Sequence, residues 1–318
     1  MKRGIRILQL MDELQKMPEY QLYTQLQGFS ISIYTFDRNF FELRELITVL
    51  ANDPRADQIY WLQNRDKLIG VTNDVIRLLH NFVASALSLI DHTRRLYNKL
   101  YATSEKFPDY QPRINHDFAQ DPLSQFVKCL RQYCQHYKAP NIDVTVSMNK
   151  GDEKVAKTFN LLVDDLLTFD GWSAPAKKYL ATIDAKVEIL KIAIEYRNKV
   201  IAFYQWFQAR QNEIHLDEFH RFKTKEQELL FLMLEDKIDI CFAKSRQGIP
   251  YDKKEIFLSI FTSREYEEIK VFPDGSIEQG FKAIELLEQK FFDLSEEIKE
   301  RVLQLYQAPN LSLNQEQV

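Results

Sequence analysis

The sequence predicts a mainly α-helical bundle with one small β-hairpin, and three observations carry that prediction. Only 8 Gly and 10 Pro punctuate 318 residues, so elements run long, and helices supply long uninterrupted elements most readily. Two stretches, Asp66 to Thr103 and Asp184 to Ile214, repeat apolar residues at helical spacing with no proline inside. Hydrophobic content of 45% beside 28% charged residues is ordinary for a folded chain, and this length suffices to bury a substantial core.

Taken in order, Ile5 to Lys16 reads as the first helix and Phe40 to Leu50 as the next, stopping before Asp53-Pro54. Between them Phe29 to Phe36 alternates like a strand. One long helix covers Asp66 to Thr103, and Lys106 to Gln120, with Pro108 and Pro112, reads as a loop. Asp121-Pro122 then opens a helix with an acidic N-cap and proline at the first helical position. It runs to about Lys138, because Pro140 disfavours helical geometry at the residue before it. Ile142 to Met148 alternates strictly, Asn149 to Asp152 supplies a turn, and Val155 to Leu162 is a second extended run, giving a hairpin over 142–162.

Trp172-Ser173-Ala174-Pro175 caps a further helix, and Asp184 to Ile214 forms the second long one. Helices follow near 224–236, 251–261, 276–292 and 295–306, the last opened by a capping box at Asp293 and Glu296, before a polar tail from Asn310. Two organisations are open: a boundary near 215–225, with a bundle over 1–215 and a C-terminal helical extension over 216–318, or a single domain.

Charge and motifs narrow the function. A formal net charge of −4 gives no global case for a duplex nucleic-acid binder, which is usually strongly basic. Three cysteines, Cys129, Cys134 and Cys241, have no metal spacing and read as reduced structural thiols of a cytoplasmic protein. No secretory or transmembrane segment is expected, since the most apolar run, Phe82 to Ile90, is too short to span a bilayer. There is no phosphate-binding loop, dinucleotide-binding glycine motif or Cys/His cluster, so no cofactor or metal is expected.

One helix carries a chemical reading. At 100° per residue, Phe126, Leu130, Tyr133 and Tyr137 form an apolar stripe, with Lys128, Gln132 and Gln135 opposite. Arg131 and His136 border that polar face, roughly 140° apart. The Arg-x4-His spacing resembles the signature of HEPN domains. The run from Leu130 to Pro140 is similar to a pattern in bacterial HEPN-like proteins, Leu-Arg-Asn-Tyr-x-Gln-His followed by Pro, with Gln132 standing where Asn is frequent. Asp91-His92-Thr93-Arg94 on the preceding long helix resembles the same proteins, and the likeness spans about 80–140.

That resemblance implies a HEPN-like fold and a metal-independent endoribonuclease acting as a homodimer, with RNA as substrate. It also implies a toxin–antitoxin or phage-defence setting, with an antitoxin or another protein as partner. Arg131 would clamp phosphate and His136 would be the acid/base, supported by Lys128, Gln132, Asp91 and Arg94. The residue types suit that chemistry: histidine titrates near neutrality, and arginine offers permanent forked donors to a charging phosphate. The competing reading is a non-enzymatic helical interaction protein using the same face. A second match, Arg210 and His215, continues the apolar stripe of its own helix and reads as structural.

Overall fold

The computed structural model describes residues 2–148, 155–249, 260–291 and 294–307. The fold is mainly α with a small antiparallel sheet. In chain order the helices are α1 (Lys2–Lys16), α2 (Pro18–Asn52), α3 (Arg65–Leu100), α4 (Tyr110–Ile114), α5 (Pro122–Gln132), α6 (Val163–Leu166), α7 (Ala174–Leu180), α8 (Ile189–Ile214) and α9 (Leu216–Arg246). The strands are β1 (Ile142–Met148), β2 (Val155–Leu162) and β3 (Lys186–Glu188). Three shorter helices, Ser263–Lys270, Ile277–Lys290 and Glu296–Gln307, come last. The chain divides into two compact units, Thr24–His215 and the combination of Met1–Tyr23 with Leu216–Val318. Residues 1–23 thus group with the C-terminal segment rather than with the bundle.

In the unit from Thr24 to His215 the core is aromatic. Phe36 of α2 and Phe82 of α3 lie 5.4 Å apart, and both meet Tyr196 of α8 edge-on at 6.3 and 6.2 Å. Edge-to-face contacts of this kind add to the area these large rings bury. The expected strand at Phe29 to Phe36 is instead part of α2, which runs unbroken to Asn52. Its buried residues Phe29, Phe36, Phe40, Leu43, Ile47 and Leu50 recur at helical spacing. That longer period outweighs eight alternating residues.

The hairpin forms with the bounds the alternation gives. β1 and β2 pair antiparallel from Ile142↔Leu161 to Met148↔Val155, and the turn between them lies outside the described residues. A third strand was not expected. β3 pairs with β2 through Leu161↔Val187 and leads directly into α8, which starts at Ile189 rather than near Asp184. Three residues with one buried apolar side chain, Val187, are too short to register as alternation.

The other unit brings α1 and α9 together through ion pairs, Arg6 to Glu228 at 3.1 Å and Lys225 to Glu13 at 2.8 Å. Leu234 and Ile238 of α9 share an apolar cluster with Leu287, Ile298 and Val302 of the last helices. The expected helix over 251–261 falls almost wholly outside the described residues, as do Asp293 and the tail from Asn310. An unexpected helix starts at Ser263 behind a reciprocal capping box between Thr262 and Glu265.

Candidate functional site

Helix α5 starts as its sequence dictates. The Asp121 carboxylate accepts from the Ser124 backbone N–H at 2.8 Å and from its hydroxyl at 2.7 Å, with Pro122 next in line. Phe126, Leu130 and Tyr133 are fully buried, and the Phe126 ring stacks on Trp172 at 5.3 Å. Beyond Gln132 the winding changes. Tyr133–Tyr137 form a π-turn, closed where the Lys138 N–H donates to the Tyr133 carbonyl at 3.1 Å. Such turns are uncommon and concentrate at functional sites.

The wider turn corrects two expectations drawn from uniform α geometry. Each residue advances less around the axis, so Tyr137 lags behind the apolar stripe and is 48% exposed, its hydroxyl donating to the Thr168 carbonyl at 3.1 Å. By the same unwinding Arg131 and His136, five residues apart, face more nearly the same way than an α-helix allows.

Asp165 holds this turn from outside. Its carboxylate accepts from the Tyr133 hydroxyl at 2.8 Å, the Lys138 ammonium at 2.6 Å and the Asn141 amide at 3.3 Å. Burial opposes its charge, but the bonds from Lys138 and Tyr133 outweigh that and keep the carboxyl below the usual range. Burial, helped by the bond to Asp165, raises the Tyr133 phenol. Burial alone pushes the Cys134 thiol up to about 12, which removes it as a nucleophile at neutral pH.

Of the six residues singled out from sequence, four share α5 and its π-turn. Lys128, Gln132 and His136 are exposed and make no side-chain hydrogen bond or ion pair with a described residue. Arg131 does not simply border solvent as expected. It is half-buried, and its Nε is closed to water without an acceptor among the described residues. A buried unmatched donor costs about 1–3 kcal/mol, and the guanidinium around it carries a permanent charge. Asp91 and Arg94 lie on α3 and are exposed. They pair with each other at 3.3 Å, and no hydrogen bond or ion pair links them to Arg131 or His136. Arg94 borders a separate cavity of about 80 Å³ lined by Tyr110, Phe203 and Tyr204 among others, to which α5 contributes nothing.

The second Arg-x4-His match has a different environment. Arg210 is paired with Glu213 and with Asp109, the latter at 3.2 Å, and lies over the Phe107 ring. His215 is buried with Nε2 2.9 Å from the Tyr101 hydroxyl. That pair serves the core.

Sequence reasoning missed a third cluster. The segment read as a loop contains α4 and a second π-turn, Asn115–Ala119. It borders an open groove of about 390 Å³ with Arg113, His116, Asp117, Asp121 and, from α8, Lys199 on its walls. The signal available was Arg113-x-x-His116-Asp117, obscured because Pro112 and Pro108 read as breakers. Pro112 is tolerated because it lies in the first turn of α4, where its missing N–H has no helical partner to lose.

Among the described residues no group of three His, Cys, Asp or Glu side chains stands ready to hold a metal ion, and no helix is long and apolar enough to cross a membrane. No protein-family model, curated protein or solved structure matches the chain.

Proposed function

We propose that the protein is a HEPN-like, RNA-binding homodimer that cleaves RNA without a metal, using Arg131 and His136 at the C-terminal end of α5. The observation that carries this reading is the contrast between the two Arg-x4-His pairs. Arg210 is neutralised by two acids and His215 is built into the core. The Nε of each arginine is buried without a hydrogen-bond partner among the described residues, but Arg131, unlike Arg210, also has no acid paired with it, and His136 presents an unengaged ring on a π-turn beside it. An acceptor brought by a ligand would recover the cost of the Arg131 donor.

In the reaction, Arg131 holds the scissile phosphate, with Lys128 and Gln132 on neighbouring phosphate or sugar oxygens. The 2′-oxygen attacks phosphorus as its proton passes to a neutral imidazole, and the 5′-oxygen leaves with a proton from an imidazolium. The products are a 2′,3′-cyclic phosphate and a 5′-hydroxyl. Each His136 of a homodimer supplies one of these two roles, and arginine stabilises the charge that grows on the phosphate oxygens. The setting is the cytosol, where the three free thiols stay reduced, and a toxin or phage-defence role accounts for controlled RNA cleavage.

The test incubates purified wild type, Arg131→Ala, His136→Ala and Arg210→Ala proteins with single-stranded and structured RNAs in a metal chelator. Cleavage by wild type and Arg210→Ala, lost in the other two while their self-association persists, supports the reading. Equal activity in all four, or none in wild type, ends the nuclease reading. Retained RNA binding without cleavage leaves a binding module on the same face.

A further inference from the structure

The groove between the second π-turn and α8 is preorganised in a way that the α5 pair does not explain. Its two carboxylates are mostly buried and already committed. Asp117 holds the His116 Nδ1 at 2.7 Å with one oxygen and Arg113 Nε at 2.5 Å with the other. Asp121 holds Lys199 at 2.5 Å with one oxygen and caps α5 through Ser124 with the other. Arg113 is further fixed with its guanidinium carbon 5.3 Å from the centre of the Trp206 ring. In each acid, burial opposes the charge and the hydrogen bonds outweigh it, so both stay ionised at neutral pH.

What remains unspent in the groove is mainly donors. The terminal nitrogens of Arg113, the remaining protons of Lys199 and the Gln120 amide have no partner among the described residues. The His116 Nε2 is free on a side chain 87% exposed, its ring oriented by Asp117. Donors converging on a concave site, beside one imidazole nitrogen able to give or take a proton, fit an oxyanion that can itself carry a proton. We propose that this groove binds a phosphate group, with Arg113, Lys199 and Gln120 donating to its oxygens and His116 sharing a proton with it. Ten residues of helix separate Asp121 from Arg131, about 15 Å of rise, so the groove is distinct from the Arg131 and His136 pair and does not depend on that reading.

The experiment follows the ring resonances of the six histidines by NMR while inorganic phosphate, and separately glycerol phosphate, is titrated into the full chain. His116 is assigned from the His116→Gln variant. The expected result is a saturable shift of His116, with affinity falling roughly tenfold or more in Arg113→Gln and in Lys199→Gln. Tighter binding of glycerol phosphate than of inorganic phosphate would identify an ester-borne group, and the reverse a free anion. The Arg131→Ala/His136→Ala double variant keeps the His116 shift. Tryptophan fluorescence checks that each variant is folded, and Lys199→Gln, on the exposed side of α8, decides the matter if Arg113→Gln does not fold. An unshifted His116, wild-type affinity in a folded groove variant, or loss of the shift in the double variant overturns the proposal.

Discussion

Replacing Asp165 by alanine removes the group that holds the end of the α5 segment in place. It deprives the buried Tyr133 hydroxyl of its acceptor and releases Lys138 and Asn141, which flank the π-turn carrying His136. A hydrogen bond to a charged group contributes about 1.5–3 kcal/mol, and a stranded buried donor costs about 1–3 kcal/mol. Lys138 is 37% exposed, so water screens part of its share. The expected loss is about 2–4 kcal/mol. Asp165→Asn keeps one oxygen for Tyr133 but turns an amide toward Lys138, and so falls between.

The sign with pH follows from the depressed carboxyl. The unfolded chain takes up this proton first as pH falls, so the stabilisation is complete above the ordinary aspartate value, about 4. It drains away as pH drops toward and through the lower folded value. All three tryptophans, Trp61, Trp172 and Trp206, lie in the Thr24–His215 unit, so their fluorescence during urea unfolding reports that unit alone. The gap between wild type and Asp165→Ala should be wide at pH 7 and much smaller at pH 3. A loss under about 0.5 kcal/mol, or a gap unchanged between the two pH values, would refute this account of the turn.

Other expectations use the same unit. Asp121→Ala removes the α5 cap and should cost about 0.5–2 kcal/mol in urea unfolding, with a further contribution from the lost Lys199 pair. Phe82→Ala empties the centre of the aromatic core and should cost about 3–5 kcal/mol, read by the same fluorescence. Burial pushes the Cys134 thiol up to about 12 and the Cys241 thiol up to about 11, so both should react with a thiol reagent at pH 8 only after denaturant is added. Prompt reaction of Cys134 in the native protein would show that the α5 terminus opens.

Much of the architecture could be read from residue order because local rules and tertiary packing agree there. Asp121-Pro122 and Ser173 with Pro175 start helices where cap chemistry says they must, and the alternation of Ile142 to Met148 against Val155 to Leu162 gives the hairpin with its bounds. The failures have physical causes. Phe29 to Phe36 alternates locally but belongs to a longer helical period, which shows only when Phe40 to Leu50 is counted with it. β3 is too short to announce itself, since it exists because β2 offers an edge beside it. The π-turn after Gln132 depends on contacts from Asp165, 27 residues beyond Lys138. No periodicity within α5 encodes that contact, so uniform helical geometry places Tyr137 on the buried stripe, where the structure leaves it 48% exposed, and spreads Arg131 and His136 too far around the axis.

Spacing alone places Arg131/His136 and Arg210/His215 on an equal footing, and partners separate them. Sites kept for a ligand tend to leave charges locally unsatisfied, whereas structural charges are paired in place. This gives the two arginines opposite signatures in stability. Arg131→Met removes a half-buried cation that has no ion-paired acid among the described residues while keeping its aliphatic bulk. Unfolding stability should hold or rise, by up to about 2 kcal/mol. Arg210→Met breaks bonds to Asp109 and Glu213 and leaves those carboxylates without their cation, so stability should fall. Measured side by side through tryptophan fluorescence at pH 7, a loss for Arg131→Met as large as that for Arg210→Met would mean that Arg131 supports the fold. The contrast on which the RNA-cleaving reading rests would then be gone.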